Sequence, residues 1–144
     1  VNSIAQYNVL LTRAELWNKI SEENILIIQH DSALLRHGIE EFYKYDYIGA
    51  PIKWLPFPAM NGGLSFRRKS AMLKIIENVP YNGTENEDLY FCRGAEQLGL
   101  SLPTFETAQK FSCETIFNFG SLGYHAIEKY LTPEEVYKIK NQYK

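Results

Sequence analysis

The sequence predicts an α/β layered domain: a mixed sheet with at least partly parallel strands and flanking helices. Short apolar runs with β-branched members alternate with segments whose apolar residues recur at helical spacing. Three Thr-x-x-Glu arrangements, Thr12 to Glu15, Thr84 to Glu87 and Thr132 to Glu135, stand where helical segments begin. Turn signals come at short intervals, and no repeat, low-complexity tract or Ser/Pro-rich linker interrupts the 144 residues, so one domain over 1–144 is expected.

The first element is expected at Thr12. Its hydroxyl can accept from the third helical amide while Glu15 reaches back, and Leu11 and Leu16 form a staple around them. A helix of about two turns that buries Leu16, Trp17 and Ile20 follows from the apolar spacing. Ile25-Leu26-Ile27-Ile28 is a continuous apolar run that suits a strand covered on both faces, as in a parallel sheet, and it ends in Gln29-His30-Asp31-Ser32. Tyr45 to Ile48 reads as a second strand stopped by Gly49-Ala50-Pro51, and an aromatic, proline-containing loop from Ile52 to Met60 carries Trp54 and Phe57. Asn61-Gly62-Gly63 reads as a turn opening a third strand at Leu64. Met72, Ile75, Ile76 and Val79 then mark a helix. Another helix should start near Thr84, with Leu89, Cys92 and Leu98 in its buried stripe. The C-terminal helix combines a capping box, Pro133 at its first position and a Leu131/Val136 staple.

Composition narrows the function classes. Fifteen Lys plus Arg against seventeen Asp plus Glu give a net charge of −2 without long runs of either sign, so a nucleic-acid footprint is missing. No apolar stretch approaches the roughly 20 residues that cross a bilayer, and no address segment precedes the first helix; a cytoplasmic setting is expected. Cys92 and Cys113 lie outside any C-x-x-C pattern and read as buried free thiols.

Several residues can carry chemistry. Asp31 follows an apolar strand, where ligands of open α/β sheets gather, and can hold a hard cation or a sugar hydroxyl, or simply cap the next element. Glu87-Asp88 opens a helix. Glu87 has a structural duty in the expected capping box, but Asp88 stands where the other two boxes place an apolar staple partner, so a general base is a reading the helix start alone does not supply. His125 lies just after a glycine-containing loop and can present a ring nitrogen to a metal or serve the core. Arg67-Arg68-Lys69 suits a diphosphate or a solvated helix start. Trp54, Phe57 and the tyrosines suit a sugar-stacking platform or the core.

Taken together, Tyr7-Asn8, Leu16-Trp17, Ile25 through Ser32, Tyr45 through Pro51, Asn61 through Arg67, Glu87 through Phe91, Phe111 through Glu114 and Gly123-Tyr124-His125 resemble, in order, the pattern of DUF5672, a family classed as a domain of unknown function. Its members look like GT-A glycosyltransferases. The resemblance implies transfer of a sugar from a nucleotide-sugar donor to a carbohydrate or other hydroxyl-bearing acceptor, with inversion and with a divalent metal, Mn2+ or Mg2+.

The resemblance also implies roles. Gln29-His30-Asp31 occupies the place of the acidic D-x-D motif, so Asp31 is the implied metal ligand. Gln29, a neutral amide on the substrate side, replaces the first acid, which implies a weakly held or dispensable ion. His125 resembles the late histidine that completes the metal sphere. Asn61, Gly62 and Gly63 resemble the glycine-rich segment beside the sugars, and Trp54 is placed with them as substrate-binding. Glu87-Asp88 resembles the x-E-D motif of inverting members, with Asp88 as base. A complete GT-A fold places nucleotide-binding βαβ units, at about 30 residues each, before the metal motif. Here Asp31 is near the start, so the chain is expected to be the C-terminal portion, with the N-terminal nucleotide-binding half as a missing partner segment. A non-catalytic carbohydrate-binding or assembly module is the alternative, and a metal-dependent phosphoesterase ranks last because the three histidines are dispersed.

Overall fold

A computed structural model describes residues 1–144. Its elements run as helix α1 (Ile4–Leu11), α2 (Ala14–Asn18), strands β1 (Asn24–Ile28), β2 (Ser32–Leu34), β3 (Tyr47–Pro51) and β4 (Met60–Arg68), helices α3 (Lys69–Asn78), α4 (Glu87–Gln97) and α5 (Phe105–Phe111), strands β5 (Ser112–Cys113) and β6 (Gly123–His125), and helix α6 (Pro133–Asn141). The strands form two small sheets, ordered β1-β4-β3 and β2-β6-β5.

The larger sheet is antiparallel throughout, against the expectation of parallel pairing: Ile28 lies opposite Leu64 on one side of β4, and Ile48 opposite Phe66 on the other. β3 returns into β4 through the loop 52–59, a connection that antiparallel neighbours allow and a parallel crossover does not. The apolar run of β1 is an edge strand, not one covered on both faces. Its residues are only partly buried, and Ile28 is 51% exposed. The one parallel pair, β5 with β6, belongs to the smaller sheet.

Two glycine-containing segments, expected as the stop of one strand and the turn opening the next, lie within the strands instead. Gly49-Ala50-Pro51 is part of β3, and Asn61-Gly62-Gly63 is part of β4. Gly49 marks an irregularity in the β3/β4 register, where a Cβ would sit 2.0 Å from the Asn61 carbonyl oxygen. Glycine is required there because backbone meets backbone.

Of the three expected capping boxes, only that at α6 forms: Thr132 accepts from the Glu135 amide, whose carboxylate accepts from the Thr132 amide, with Pro133 in the first turn. Thr12 instead ends α1, its hydroxyl donating to the Asn8 carbonyl at 2.8 Å, and α2 is a single short helix that buries Trp17. The helix expected near Thr84 begins at Glu87, with Asn86 as its N-cap.

α3 and α4 pack against the larger sheet and each other. Gly94 of α4 lets the helices close, since a Cβ there would lie 2.4 Å from Ile75. Trp17, Met60, Phe66, Met72, Phe91 and Phe111 share this core, and a smaller one gathers Cys113, Ile127 and Ile139 beneath α6. Both cysteines are free and buried, as expected. No helix is long and apolar enough to cross a membrane.

Candidate functional site

The middle of β4 organises the site. Successive side chains of a strand point to opposite faces, so Gly62 and Gly63 open space on both sides of one backbone. A Cβ on Gly62 would meet Arg67 Nη2 at 2.4 Å and Glu87 Oε1 at 2.8 Å, whereas one on Gly63 would stand 2.3 Å from the His125 ring. Glycine at both positions lets the acidic start of α4 and the imidazole of β6 approach the same dipeptide.

On the α4 side, Glu87 and Asp88 separate into two duties. Glu87 is buried and takes a two-pronged ion pair from the fully buried Arg67, with Nη2 to Oε1 at 2.9 Å and Nη1 to Oε2 closing the fork. Arg67 Nε donates to Ser65 Oγ at 3.0 Å, and the guanidinium lies 4.8 Å above the Tyr47 ring. Burial works against the Arg67 charge, and the Glu87 carboxylate together with Tyr47 and Tyr7 holds the guanidinium above its ordinary range. Arg67 is therefore neither a surface residue nor a diphosphate contact, and Glu87 serves no capping box.

Asp88 faces the open side. Its Oδ2 accepts from the Gly62 amide at 3.0 Å and its Oδ1 from the Leu89 amide at 2.8 Å. Burial, then the nearby Glu87 charge, push its pKa up to about 6, against the opposing pull of Arg67 and the two backbone donors. The turn before Glu87 is held from a distance: Asn8 of α1 accepts from the Glu87 amide at 3.0 Å and donates to Asn86 Oδ1 at 3.4 Å.

On the other side, the segment after β1 wraps the Gly63 carbonyl, which accepts from the Gln29 amide at 2.9 Å and from Ser32 Oγ at 3.1 Å. Ser32 pairs with His125 across β2 and β6, and the Asp31 carbonyl accepts from the Ala126 amide. Asp31 Oδ1 thereby lies 3.1 Å from His125 Nε2, and Glu114 Oε1 lies 3.2 Å from Nδ1 of the same ring. Lys129 Nζ stands 3.3 Å from Asp31 Oδ2. Partial burial opposes the Asp31 charge, but His125 and Lys129 hold its carboxyl below the usual range. Glu114 is raised by burial, with His125 acting in the opposite sense.

Two donors 3.1 Å apart have the spacing of neighbouring corners around an ion with bonds of about 2.1 Å, and a carboxylate behind a ligating ring is a common orienting device. No group of three or more His, Cys, Asp or Glu side chains is arranged to hold a metal ion.

Between these two sides lies a cavity of about 300 Å³, into which Gln29, Asn61, Gly62, Gly63, Asp88 and His125 converge. Asp31 does not line the cavity and reaches it only through its contact with His125 Nε2. Asn61 Oδ1 accepts from the Gly63 amide at 2.7 Å, and Gln29 meets the Tyr7 hydroxyl. Trp54 is 62% exposed outside the cavity, its ring 5.6 Å from that of Tyr130, which does line it. Tyr7, Asn8, Asn86 and Glu114 join the site without an assigned role from sequence. Asn86, directly before the two acids, carries a local N-cap signal, but the Asn8 contact crosses 79 positions and leaves none.

One family model matches residues 1–125, that of DUF5672, described as a protein of unknown function. No curated protein and no solved structure matches the chain. The matched residues include the whole of the β4 dipeptide, both acids of α4, Asp31, Glu114 and His125. The chain belongs to the DUF5672 family.

Proposed function

We propose that this chain carries the acceptor side of an inverting glycosyltransferase, with Asp88 as the general base. The observation that carries the reading is the environment of Asp88: a largely buried carboxylate at the edge of an open polar cavity, held by two backbone amides, with its pKa pushed up to about 6. Each oxygen receives one N–H and keeps a lone pair, so the group can accept a further proton without leaving its place. A base poised just below neutral is ionised at pH 7 yet proton-hungry enough for the task.

In the proposed step the acceptor hydroxyl gives its proton to Asp88 while its oxygen forms a bond to the anomeric carbon. The bond from that carbon to the donor phosphate breaks on the opposite face, and the nucleoside diphosphate leaves with the electron pair. Asp31 and His125 would hold a divalent ion, Mn2+ or Mg2+, with Glu114 orienting the ring. Such an ion supplies positive charge to the departing phosphate.

The second reading is a non-catalytic carbohydrate-binding module. It draws support from the pairing of Asp31 Oδ2 with Lys129, a cation already at the carboxylate that a metal ion would have to share. Both readings answer to one experiment: incubation with a panel of nucleotide sugars, with and without Mn2+, followed by nucleoside diphosphate release. Transfer predicts release that falls by about 10²–10⁴-fold in Asp88→Asn with the fold intact. Release that survives this substitution removes Asp88 from the chemistry. No release from any donor, beside retained carbohydrate binding, favours the module.

A further inference from the structure

We infer that the cavity between α1, β4 and α4 is a site for one uncharged, hydroxyl-rich sugar ring, and that it excludes the nucleoside diphosphate. The inference rests on the transfer reading and assigns this cavity to the acceptor.

Charge decides the class. No lysine or arginine lines the cavity. The Glu87 charge is paired with Arg67, whose guanidinium is spent on that pair and on Ser65. Asp88 receives only neutral amides, so its negative charge faces the cavity without a counter-ion. Lys129, the nearest surface cation on the His125 side, is committed to Asp31 and is not part of the lining. An anionic ligand would enter against Asp88 with no lysine or arginine in the lining to offset it. A diphosphate depends on cations or on a helix N-terminus with free amides; the lining holds no lysine or arginine, and at the start of α4 the Glu87 amide is taken by Asn8 and the Leu89 amide by Asp88.

The remaining lining suits a neutral polyol. Gln29, Asn61 and Asn86 present amides that both donate and accept, and Tyr7 and Tyr130 add hydroxyls, while Ile4 and the tyrosine rings offer apolar faces. At about 300 Å³ the volume lies at the bottom of the range for small-molecule sites, which fits a single ring better than a nucleotide. Trp54 against Tyr130 extends an aromatic surface from the rim, where a second ring of a longer acceptor can rest.

The test is a binding experiment without donor or metal. The full chain, in EDTA, is titrated with the methyl glycosides of glucose, galactose, mannose and N-acetylglucosamine, with the corresponding uronates, and with uridine diphosphate, following the backbone amide resonances of Gly62 and Gly63. The expected result is saturable shifts by at least one neutral glycoside in the millimolar range, with its uronate at least tenfold weaker and uridine diphosphate without effect on these amides. In Asp88→Asn the uronate should come within about threefold of the neutral ring, a loss of at least about 0.7 kcal/mol of discrimination. Uridine diphosphate or a uronate binding these amides as tightly as the neutral glycosides overturns the inference, and so does silence from every neutral glycoside at about 50 mM. Either failure leaves the transfer reading to its own assay, because nucleoside diphosphate release reports on donor cleavage wherever the acceptor sits. Absence of release with neutral-ring binding intact would remove the transferase and retain the site.

Discussion

Asp88→Asn is also a stability experiment, and the pH dependence separates its electrostatic part from the rest. An ordinary aspartate titrates near 3.8, whereas burial and Glu87 raise Asp88 to about 6 in the folded chain. A carboxyl whose folded pKa is raised contributes stability that is complete below its unfolded pKa and is lost as pH rises through the folded one. A shift of about two units is worth about 3 kcal/mol at 1.36 kcal/mol per unit. Because Asp88 keeps a face toward solvent, and part of the loss already occurs below pH 4, about 2 kcal/mol should disappear between pH 4 and pH 8. Asparagine cannot ionise. It also turns an NH₂ toward one of the two amides that Asp88 accepts, at a cost of about 1 kcal/mol that is independent of pH. Urea unfolding of both proteins at pH 4, 5, 6, 7 and 8 therefore gives a difference curve in which other titrating groups cancel. The variant should gain on the parent by about 2 kcal/mol across the range, with the steepest change between pH 4 and pH 6. A difference that stays flat within about 0.5 kcal/mol would refute the buried-carboxylate account, and with it the physical basis for naming Asp88 as base.

Two further substitutions probe the frame around that carboxylate. Glu87→Gln leaves the fully buried Arg67 guanidinium without its counter-charge, and should lower the unfolding free energy by about 3–5 kcal/mol by urea denaturation; a loss below about 1 kcal/mol would mean that water reaches the pair. Gly63→Ala drives a methyl group into the His125 ring, which lies between Asp31 and Glu114 with little room to move. A destabilisation of about 1–3 kcal/mol is expected, with displaced His125 ring resonances in NMR spectra, and unchanged ring resonances would count against the close contact.

Legibility in the sequence followed the range of the interaction. The α6 capping box, its proline and the α3 periodicity are set by residues within a few positions of one another, and they formed where the pattern placed them, with α3 ending just before Val79. Thr12 and Thr84 carry the same four-residue signature yet cap nothing in that way: a local bond back to the Asn8 carbonyl makes Thr12 the end of α1, whereas a tertiary partner, Asn8, meets the α4 amide that a box would have left to Thr84. α1 itself escaped notice because its apolar residues do not gather on one face and its anchoring residue is a buried asparagine. The continuous apolar run of β1 specifies neither cover nor direction: the strand lies at a sheet edge, only partly buried, and antiparallel to β4. Within the site, the suspicion that Asp88 lacked a helix-start role was legible from the staple position. The division of labour with Glu87 was not, since it depends on Arg67 arriving from the neighbouring strand.

The placement of the candidate site follows from one property of β4. The Gly-Gly pair clears space toward Arg67 and Glu87 on one side and toward His125 on the other, beside an irregularity in the β3/β4 pairing, and its level is fixed by the register that sets Leu64 against Ile28 and Phe66 against Ile48. A slip of one residue would carry Leu64 into the space His125 occupies and send Phe66 and Arg67 to the wrong sides, exposing the ring and burying a charge away from Glu87. The hydrophobic core and the buried ion pair thus select the same register that brings the carboxylate and the imidazole to the cavity. Arg67 makes this coupling specific. Its pairing with Glu87 contributes less to net stability than its geometry suggests, since an apolar pair could replace it, but no apolar pair would hold α4 so that Asp88, one residue on, meets the Gly62 amide.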